Sequence, residues 1–158
     1  MDEKNLLTKL YLRLKAKIPF GLQIYLKKNI PMGGGLGGGS SNAAVFLQFL
    51  NQYVPLNYTK KQLVSFALSF GADIPFFLEG GTSLVRGIGE KLKSIKPGPY
   101  KYFVLINPQL HLDTKQIYQA FDQDLATTKN PGRTPKDILK KQVGENSLKP
   151  IVFRQHKL

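Results

Sequence analysis

The sequence predicts a mixed α and β fold, and three patterns indicate this class. Apolar residues recur at helical spacing through residues 6–14, behind Asp2 as a candidate cap, which predicts an amphipathic helix. Apolar and polar residues alternate from Leu22 to Lys27, which predicts a half-buried strand. Two short segments, 82–86 and 91–95, flank a glycine-containing turn and predict a hairpin.

The Pro97-Gly98-Pro99 segment is the best candidate for a domain boundary, because proline and glycine interrupt regular structure. We therefore assign residues 1–97 and 98–158 to two units. The other expected elements, in chain order, are a helix over 43–53, a helix opened by the capping box Thr59–Gln62 and stopped at Gly71, an apolar strand over 100–106, a helix over 115–121 and a helix from Thr134 to near Gly144.

Composition bounds the kind of protein this can be. The 158 residues are 42% hydrophobic, which is enough for one core and favours one domain or one and a part. Cysteine is absent, so disulfides, zinc–thiolate sites and thiol catalysis are excluded. The first residues lack the pattern of a secretory leader, and no apolar run approaches the ~20 residues of a membrane span. We expect a soluble, cytoplasmic protein without a membrane partner, and the sequence predicts no particular oligomeric state.

The charge of the chain favours an anionic ligand. Lys and Arg number 23 against 10 Asp and Glu, for a formal net charge of +13, and no acid lies between Glu3 and Asp73. Such a field attracts nucleic acid or phosphorylated small molecules. A basic, non-catalytic nucleic-acid-binding domain is therefore one hypothesis. The basic residues are scattered and form no stripe with interleaved aromatics, so nucleic acid is the less favoured partner.

A glycine-rich loop that runs directly into a helical pattern is the strongest local signal. Successive glycines can adopt positive φ and turn their N–H groups inward as an anion-binding nest, and a helix N-terminus favours phosphate. The two serines add hydroxyls for phosphate oxygens, with Ser40 as a candidate ligand of a phosphate-bound Mg²⁺. The alternative is a flexible linker, but a linker has no need to launch an amphipathic helix. The candidate ligand-binding residues of the loop are Pro31, Gly33, Gly34, Gly35, Leu36, Gly37, Gly38, Gly39, Ser40 and Ser41.

Several well-known phosphate loops do not fit this segment. The Walker pattern fails because Gly39, and not lysine, follows Gly38. The Rossmann pattern is met formally, but it wants an acid about 20 residues on, and there is none between Gly39 and Ala72. The catalytic-loop and Asp-Phe-Gly motifs of protein kinases are absent. A Pro-x-x-x-Gly-Leu-Gly-type loop ending in Ser-Ser remains.

Asp73 is an isolated acid after the second long helix, in the apolar sequence 71–77. Ile74 precedes proline and is expected to be extended. A buried carboxylate needs a partner or a function. Asp73 is either a general base that accepts the proton of a substrate hydroxyl, or the N-cap of a short helical turn. Spacing alone leaves both interpretations open.

These segments together resemble a known enzyme family. The loop is similar to the second motif of the superfamily that contains galactokinase, homoserine kinase, mevalonate kinase and phosphomevalonate kinase (the GHMP kinases). The resemblance is closest to the 4-diphosphocytidyl-2-C-methyl-D-erythritol kinases, covers nearly all of the chain and weakens after about Thr127. The segments that carry it are 30–44, 68–77, 80–81, 87–90 and Asn107-Pro108.

The resemblance implies a two-domain α/β fold in which ATP and substrate meet between the domains. Residues 1–97 would be part of the ATP-binding domain and 98–158 the beginning of the substrate domain. The implied reaction is ATP-dependent phosphorylation of the 2-hydroxyl of a cytidine-diphosphate-linked sugar alcohol, in the non-mevalonate isoprenoid pathway. By the same resemblance Asp73 is the base, residues 33–41 bind the triphosphate, and Lys28 is a nearby cation. A solvated lysine at a strand end is the alternative for Lys28.

The resemblance also implies that the chain is short at both ends. Family members carry first strands, a catalytic lysine, cytidine-holding aromatics and a third glycine-rich motif that we do not find here. In phosphoryl transfer, the effects on the rate of groups that act as a unit are strongly non-additive. Because several such groups are missing, we expect little or no turnover. Within the superfamily, a homoserine or mevalonate kinase is the alternative assignment.

Overall fold

A computed structural model describes residues 5–31, 34–99, 102–106, 112, 114–127 and 146–156. The chain divides into two compact units, Met1–Ile106 and Asn107–Leu158. The assignment of residues 1–97 and 98–158 to partial ATP-binding and substrate domains stays a prediction. Within the described ranges, no helix is both long enough and apolar enough to cross a bilayer.

The described part of the first unit is mainly helical and carries one hairpin. The strands of the hairpin pair antiparallel with Ser83 opposite Ser94, which confirms the hairpin that the sequence predicts. The elements are α1 (Leu6–Leu14), a 3₁₀ turn at Lys15–Lys17, α2 (Gly38–Tyr53), α3 (Lys60–Leu68), α4 (Ile74–Glu79), β1 (Ser83–Arg86) and β2 (Lys91–Ser94).

The core of this unit lies around α2, which contacts α1, α3 and α4. Ala43 and Ala44 are fully buried, and their small side chains allow neighbouring elements to approach α2 closely. Gln48 of α2 donates a hydrogen bond from Nε2 to the Leu78 carbonyl at 3.1 Å, which ties α2 to α4. The buried cluster comprises Leu7, Leu10, Leu14, Ile18, Ala43, Ala44, Phe46, Leu47, Leu50, Val54, Leu56, Ala67 and Ile74.

The predicted helix over 6–14 is present, with a different cap. Its apolar face is buried at Leu7, Leu10 and Leu14. The side chain of Asn5 accepts a hydrogen bond from the Leu7 N–H at 3.0 Å and so caps α1. Asp2, the cap expected from the sequence, lies outside the described residues.

Helix α2 begins at Gly38, and the prediction of a start at Ala43 was wrong. Gly37 adopts a left-handed conformation, with φ 68° and ψ 11°, and directs the chain into the helix. Glycine in a helix costs about 1 kcal/mol per residue relative to alanine. Packing of the buried α2 face outweighs that cost here, so Ser40 and Ser41 lie in the first turn of α2.

The capping box of α3 is confirmed. Thr59 Oγ1 accepts from the Gln62 N–H at 3.3 Å, and Gln62 Oε1 accepts from the Thr59 N–H at 2.8 Å. At the other end, the Gly71 N–H donates to the Ala67 carbonyl at 3.3 Å. Ile74 was expected to be extended, but it begins α4. Proline is tolerated in the first turn of a helix, where its missing N–H has no intrahelical acceptor, so α4 can start one residue ahead of Pro75.

Two strand predictions were wrong. Residues 22–27 and 102–106 are in neither helix nor strand, and within the described residues the sheet consists of β1 and β2 alone. Alternation indicates β-type side chains, but a strand also needs a neighbour for its ladder of hydrogen bonds. Apart from Leu22, which is partly buried against the core, both segments are exposed: Tyr25 shows 85% of its surface, and each residue of 102–106 shows at least 66%.

The described part of the second unit consists largely of α5 (Thr114–Thr127) and α6 (Lys149–His156). The helix predicted over 115–121 is present and extends further in both directions. Ile117 and Ile151 are buried, and Arg154 Nη2 lies 2.9 Å from Asp124 Oδ2. The predicted helix from Thr134 to near Gly144 and the Asn107-Pro108 pair lie outside the described residues.

Candidate functional site

The glycine-rich loop forms one wall of a cleft of about 530 Å³ in the first unit. Residues 27–31 form the facing wall, and Leu6 of α1 contributes apolar surface. From the loop side, Gly34 to Asn42 line the cleft, so its floor is the start of α2. The loop is therefore a concave surface that ends on a helix N-terminus.

The backbone of the loop supplies hydrogen-bond donors to this cleft. Gly35 and Gly37 both have φ of +68°, a conformation that side chains other than glycine rarely adopt. Gly37 is the N-cap of α2 and offers no side-chain acceptor to the first turn. The N–H groups of Gly38, Gly39 and Ser40 therefore have no acceptor within the helix, whereas that of Ser41 bonds to the Gly37 carbonyl at 2.8 Å. Such N–H groups are suited to phosphate oxygens.

Among the described residues that line the cleft, the charged side chains are cationic. They are Lys27 and Lys28, and no described carboxylate belongs to the lining. The first turn of α2 contains no acidic residue, so the positive end of the helix dipole is not neutralised from within the helix. An anion in the cleft would meet favourable charge from both walls.

A close contact joins the loop to α4. A Cβ placed on Gly37 would lie 2.5 Å from Cζ of Phe77, so the ring of Phe77 occupies the space beside the Gly37 backbone. Ile30 packs on the next residue, with its side chain 3.4 Å from the Cβ position of Gly38. The start of α2 is thus held between the facing wall of the cleft and α4.

Asp73 lies at the N-terminal end of α4, one helical turn before Phe77. It is exposed, and its side chain accepts no capping hydrogen bond. Asp73 therefore occupies the N-cap position of α4, as one of the two interpretations expected, but its side chain makes no capping hydrogen bond. The turn that presents Asp73 is closed by the Ile74 N–H, which donates to the Gly71 carbonyl at 3.2 Å.

Most of the predicted binding residues share one cleft. Pro31, Lys28 and the loop from Gly34 to Ser41 line it, whereas Gly33 lies outside the described residues. Asp73 does not belong to the lining and adjoins the loop through α4. The binding and catalytic roles of these residues stay predictions.

Several residues of the cleft were not predicted from the sequence. Lys27, Asn29 and Asn42 also line it. Lys28 was predicted as a binding residue, but its neighbour Lys27 was not, because the alternating pattern of a strand places adjacent side chains on opposite faces. In the irregular segment that the structure shows, adjacent side chains can face the same cleft. Asn42 could have been found from its position just after the two serines, at the start of a helix.

The donor set of the cleft does not make a metal cage. Its described lining offers hydroxyls, amides and backbone groups without a carboxylate, and no three His, Cys, Asp or Glu side chains cluster among the described residues. Mg²⁺ in nucleotide sites is commonly held through one or two protein ligands, waters and the phosphates themselves. The residues present therefore fit a magnesium ion that arrives with phosphate ligands, with Ser40 as a candidate protein ligand.

Comparison with known proteins shows which family this chain is similar to. The model of the GHMP kinases N terminal domain matches residues 5–81, a range that includes the loop, α2, α3 and Asp73. The chain is similar to the GHMP kinases over this range. This agrees with the resemblance seen in the sequence and with the mixed helix and sheet of the first unit.

Relatives within the GHMP kinases are named 4-diphosphocytidyl-2-C-methyl-D-erythritol kinase. One from Shewanella halifaxensis is 38% identical over 160 residues, covering 98% of this chain and 54% of the relative. Another from Clostridium botulinum is 41% identical over 123 residues, covering 77% of this chain and 44% of the relative. The chain thus spans about half the length of these curated relatives or less.

A solved structure shows the same likeness at the level of the fold. The crystal structure of a 4-(cytidine 5'-diphospho)-2C-methyl-D-erythritol kinase superposes with a TM-score of 0.69 at 31% identity. The superposition covers 99% of this chain and 59% of that structure. The chain therefore has the fold of part of a GHMP small-molecule kinase.

Proposed function

We propose that this chain holds the triphosphate of ATP in the cleft between the glycine-rich loop and residues 27–31. The observation that carries the proposal is the start of α2, where the left-handed Gly37 leaves three N–H groups without an intrahelical acceptor. They belong to residues that line a cleft whose described lining contains two lysines and no carboxylate. Phosphate oxygens would accept hydrogen bonds from Gly38 to Ser40, and Lys28 would add a positive charge. Mg²⁺ bound to the phosphates would supply charge neutralisation at the transferred group, with the Ser40 hydroxyl as its protein contact.

We propose further that the phosphoryl acceptor is the 2-hydroxyl of 4-diphosphocytidyl-2-C-methyl-D-erythritol. This acceptor is supported by the names of the relatives and of the superposed structure. Asp73 is the candidate base: it is exposed, forms no cap, and adjoins the loop through Phe77. It would take the hydroxyl proton as the oxygen attacks the γ-phosphorus. Both substrates are water-soluble anions, and we place the reaction in the cytoplasm.

We expect transfer by the isolated chain to be slow. Asp73 does not line the cleft, so the described residues do not hold the base against a bound γ-phosphate. Phosphoryl transfer depends on positioning and electrostatic stabilisation, and a base that is not held beside the γ-phosphate contributes little of either. Nucleotide binding depends on the cleft alone and should be the more robust property.

Two measurements test this function separately. Calorimetric titration with ATP and with a non-hydrolysable analogue measures binding, and ³¹P NMR with ATP, Mg²⁺ and the cytidylated substrate measures transfer. D73N should lower transfer by about 100-fold or more without weakening ATP binding, because a general base contributes roughly 10²–10⁴-fold. The matched control is D122N, which changes an exposed carboxylate of α5 in the same way. Measurable transfer by D122N, with an equal rate in D73N, would refute the role of Asp73.

The net charge of +13 favours one other function, binding of nucleic acid without catalysis. A thermal-shift experiment discriminates the two. Stabilisation by ATP that survives high salt supports the nucleotide site. Stabilisation by an oligonucleotide that falls steeply with salt, without an effect of ATP, supports nucleic-acid binding instead, because phosphate-backbone contacts release counterions.

A further inference from the structure

The turn of the β1–β2 hairpin packs on the backbone beside Asp73. Gly89 is buried in this turn and has φ of +123°. A Cβ on Gly89 would overlap the carbonyl oxygen of Ala72 and lie 3.0 Å from its carbonyl carbon. The residue that precedes the proposed base is therefore in direct backbone contact with the hairpin, and only glycine leaves room for that contact.

The hairpin turn is shaped by the carboxylate of Glu90. Oε2 of Glu90 accepts a hydrogen bond from the Ile88 N–H at 2.8 Å. The same carboxylate lies against Gly87, whose φ of +70° and lack of a Cβ leave space for it. Hydrogen bonds from the N–H groups of Glu90 itself and of Ile88 lower the pKa of Glu90. The Glu90 carboxylate thus stabilises the turn in which Gly89 contacts the backbone of Ala72.

The hairpin also reaches the other end of α4. The Ser94 hydroxyl of β2 donates to Glu79 Oε1 at 3.3 Å, and Lys60 Nζ of α3 lies 2.6 Å from Glu79 Oε2. Helix α4 has only six residues, too few for an isolated helix to be stable. The hairpin contacts Ala72, two residues ahead of α4, and Glu79, the last residue of α4.

We propose that Gly89 and Glu90 are positioning residues that fix the turn carrying Asp73, and so set the place of the base in phosphoryl transfer. This inference rests on the proposed function of Asp73. Neither residue lines the nucleotide cleft, so their effect on the reaction passes through the Ala72–Asp73 backbone. Loss of the contact lowers turnover and leaves nucleotide affinity unchanged.

Hydrogen exchange of single amides, followed by NMR on the full chain, tests the contact without turnover. The reporter is the Ile74 N–H, which closes the Asp73 turn, and the reference is the Ser41 N–H at the start of α2. In G89A we expect Ile74 to exchange about tenfold faster or more, with Ser41 changed less than about twofold. The matched control is G81A, which also places alanine at positive φ (+67°) but has nothing within 4 Å of the new Cβ.

Glu90 supplies a second pair of variants in case G89A does not fold. E90A removes the acceptor for the Ile88 N–H, and E90Q retains an oxygen that can accept it. We expect E90A to accelerate Ile74 exchange as G89A does, and E90Q to restore most of the protection. In the transfer assay, G89A and E90A should lower kcat about tenfold with KM for ATP changed less than about threefold.

The outcomes are distinguishable from a failure of the proposed function. If Ile74 exchanges faster in G89A but D73N transfers phosphate at an undiminished rate, the contact is supported and Asp73 is not the base. Equal exchange in G89A and G81A, equal acceleration at Ile74 and Ser41, or E90Q behaving as E90A overturns the positioning role. A lower kcat accompanied by an equally weakened ATP affinity overturns it as well.

Discussion

Gly37 lies with its backbone against the ring of Phe77, so that the N-cap of α2 and the helix that begins beside Asp73 meet at one point. A Cβ at position 37 would stand 2.5 Å from Phe77 Cζ and 2.8 Å from Cε2. The contact links the proposed phosphate cradle to the helix of the proposed base. Changing either residue should therefore affect both binding and stability.

We expect G37A to destabilise the protein by about 2 kcal/mol, because alanine at positive φ is strained and its Cβ meets Phe77. The matched variant is G35A, which has the same φ of +68° with nothing within 4 Å and isolates the backbone strain. Urea unfolding measures both. The G37A/F77L double variant should recover part of the loss, and a loss in G37A no larger than that in G35A would show that the contact has no energetic effect.

Lys28 is predicted to strengthen ATP binding through its charge. A charge-assisted contact to phosphate contributes roughly 1.5–3 kcal/mol, so K28A should weaken binding about tenfold or more. Calorimetric titration measures the dissociation constant at two salt concentrations, and the difference from the unchanged chain should shrink at high salt. K61A, which removes an exposed lysine from α3, is the control. Equal affinities in K28A and K61A would remove Lys28 from the site.

The Glu79–Lys60 pair makes stability depend on pH in the acidic range. The hydrogen bond from Lys60 is the largest cause that lowers the pKa of Glu79 below its ordinary value of 4.5. The stabilisation is therefore complete above pH 4.5 and is lost as the pH falls through the lower folded pKa. Lys60 is 74% exposed, so its loss in K60M should cost only about 0.5 kcal/mol at neutral pH. Urea unfolding between pH 3 and about 7 should show a flatter profile in K60M, and an unchanged profile would contradict this.

The exposed segment 102–106 should cause the chain to self-associate. Its five consecutive apolar residues carry no charge and, in the described part of the chain, pair with no strand. Such segments bind each other through backbone and apolar contacts. V104K should shift sedimentation toward the monomer at high concentration. V45K, which places the same charge at an exposed valine of α2, should leave association unchanged, and similar behaviour of the two variants would point to net charge instead.

The sequence predicted the local features of the fold. The capping box at Thr59 and the turn around Gly87 depend on neighbours a few residues apart, so their chemistry is visible in the sequence. The start of α2 was placed too late, since glycine's weak helix propensity conceals the packing of Ala43 and Ala44. Local reasoning accounts for these elements because their hydrogen bonds are local.

The features of the fold that were not predicted from the sequence depend on residues distant in the chain. Alternation over 22–27 indicates side chains suited to a strand but cannot supply a partner for the backbone. The contact of Gly89 with Ala72 joins two separate turns, and neither turn's sequence specifies the other. For the same reason, the sequence located Asp73 as a candidate without revealing that it leaves α4 uncapped.

The shortness of α4 has a consequence for heat sensitivity. A helix of six residues held from outside can lose its order while the buried α1–α2 core persists. Thermal inactivation of transfer should then precede the melting seen by circular dichroism, with nucleotide retained over the interval between the two temperatures.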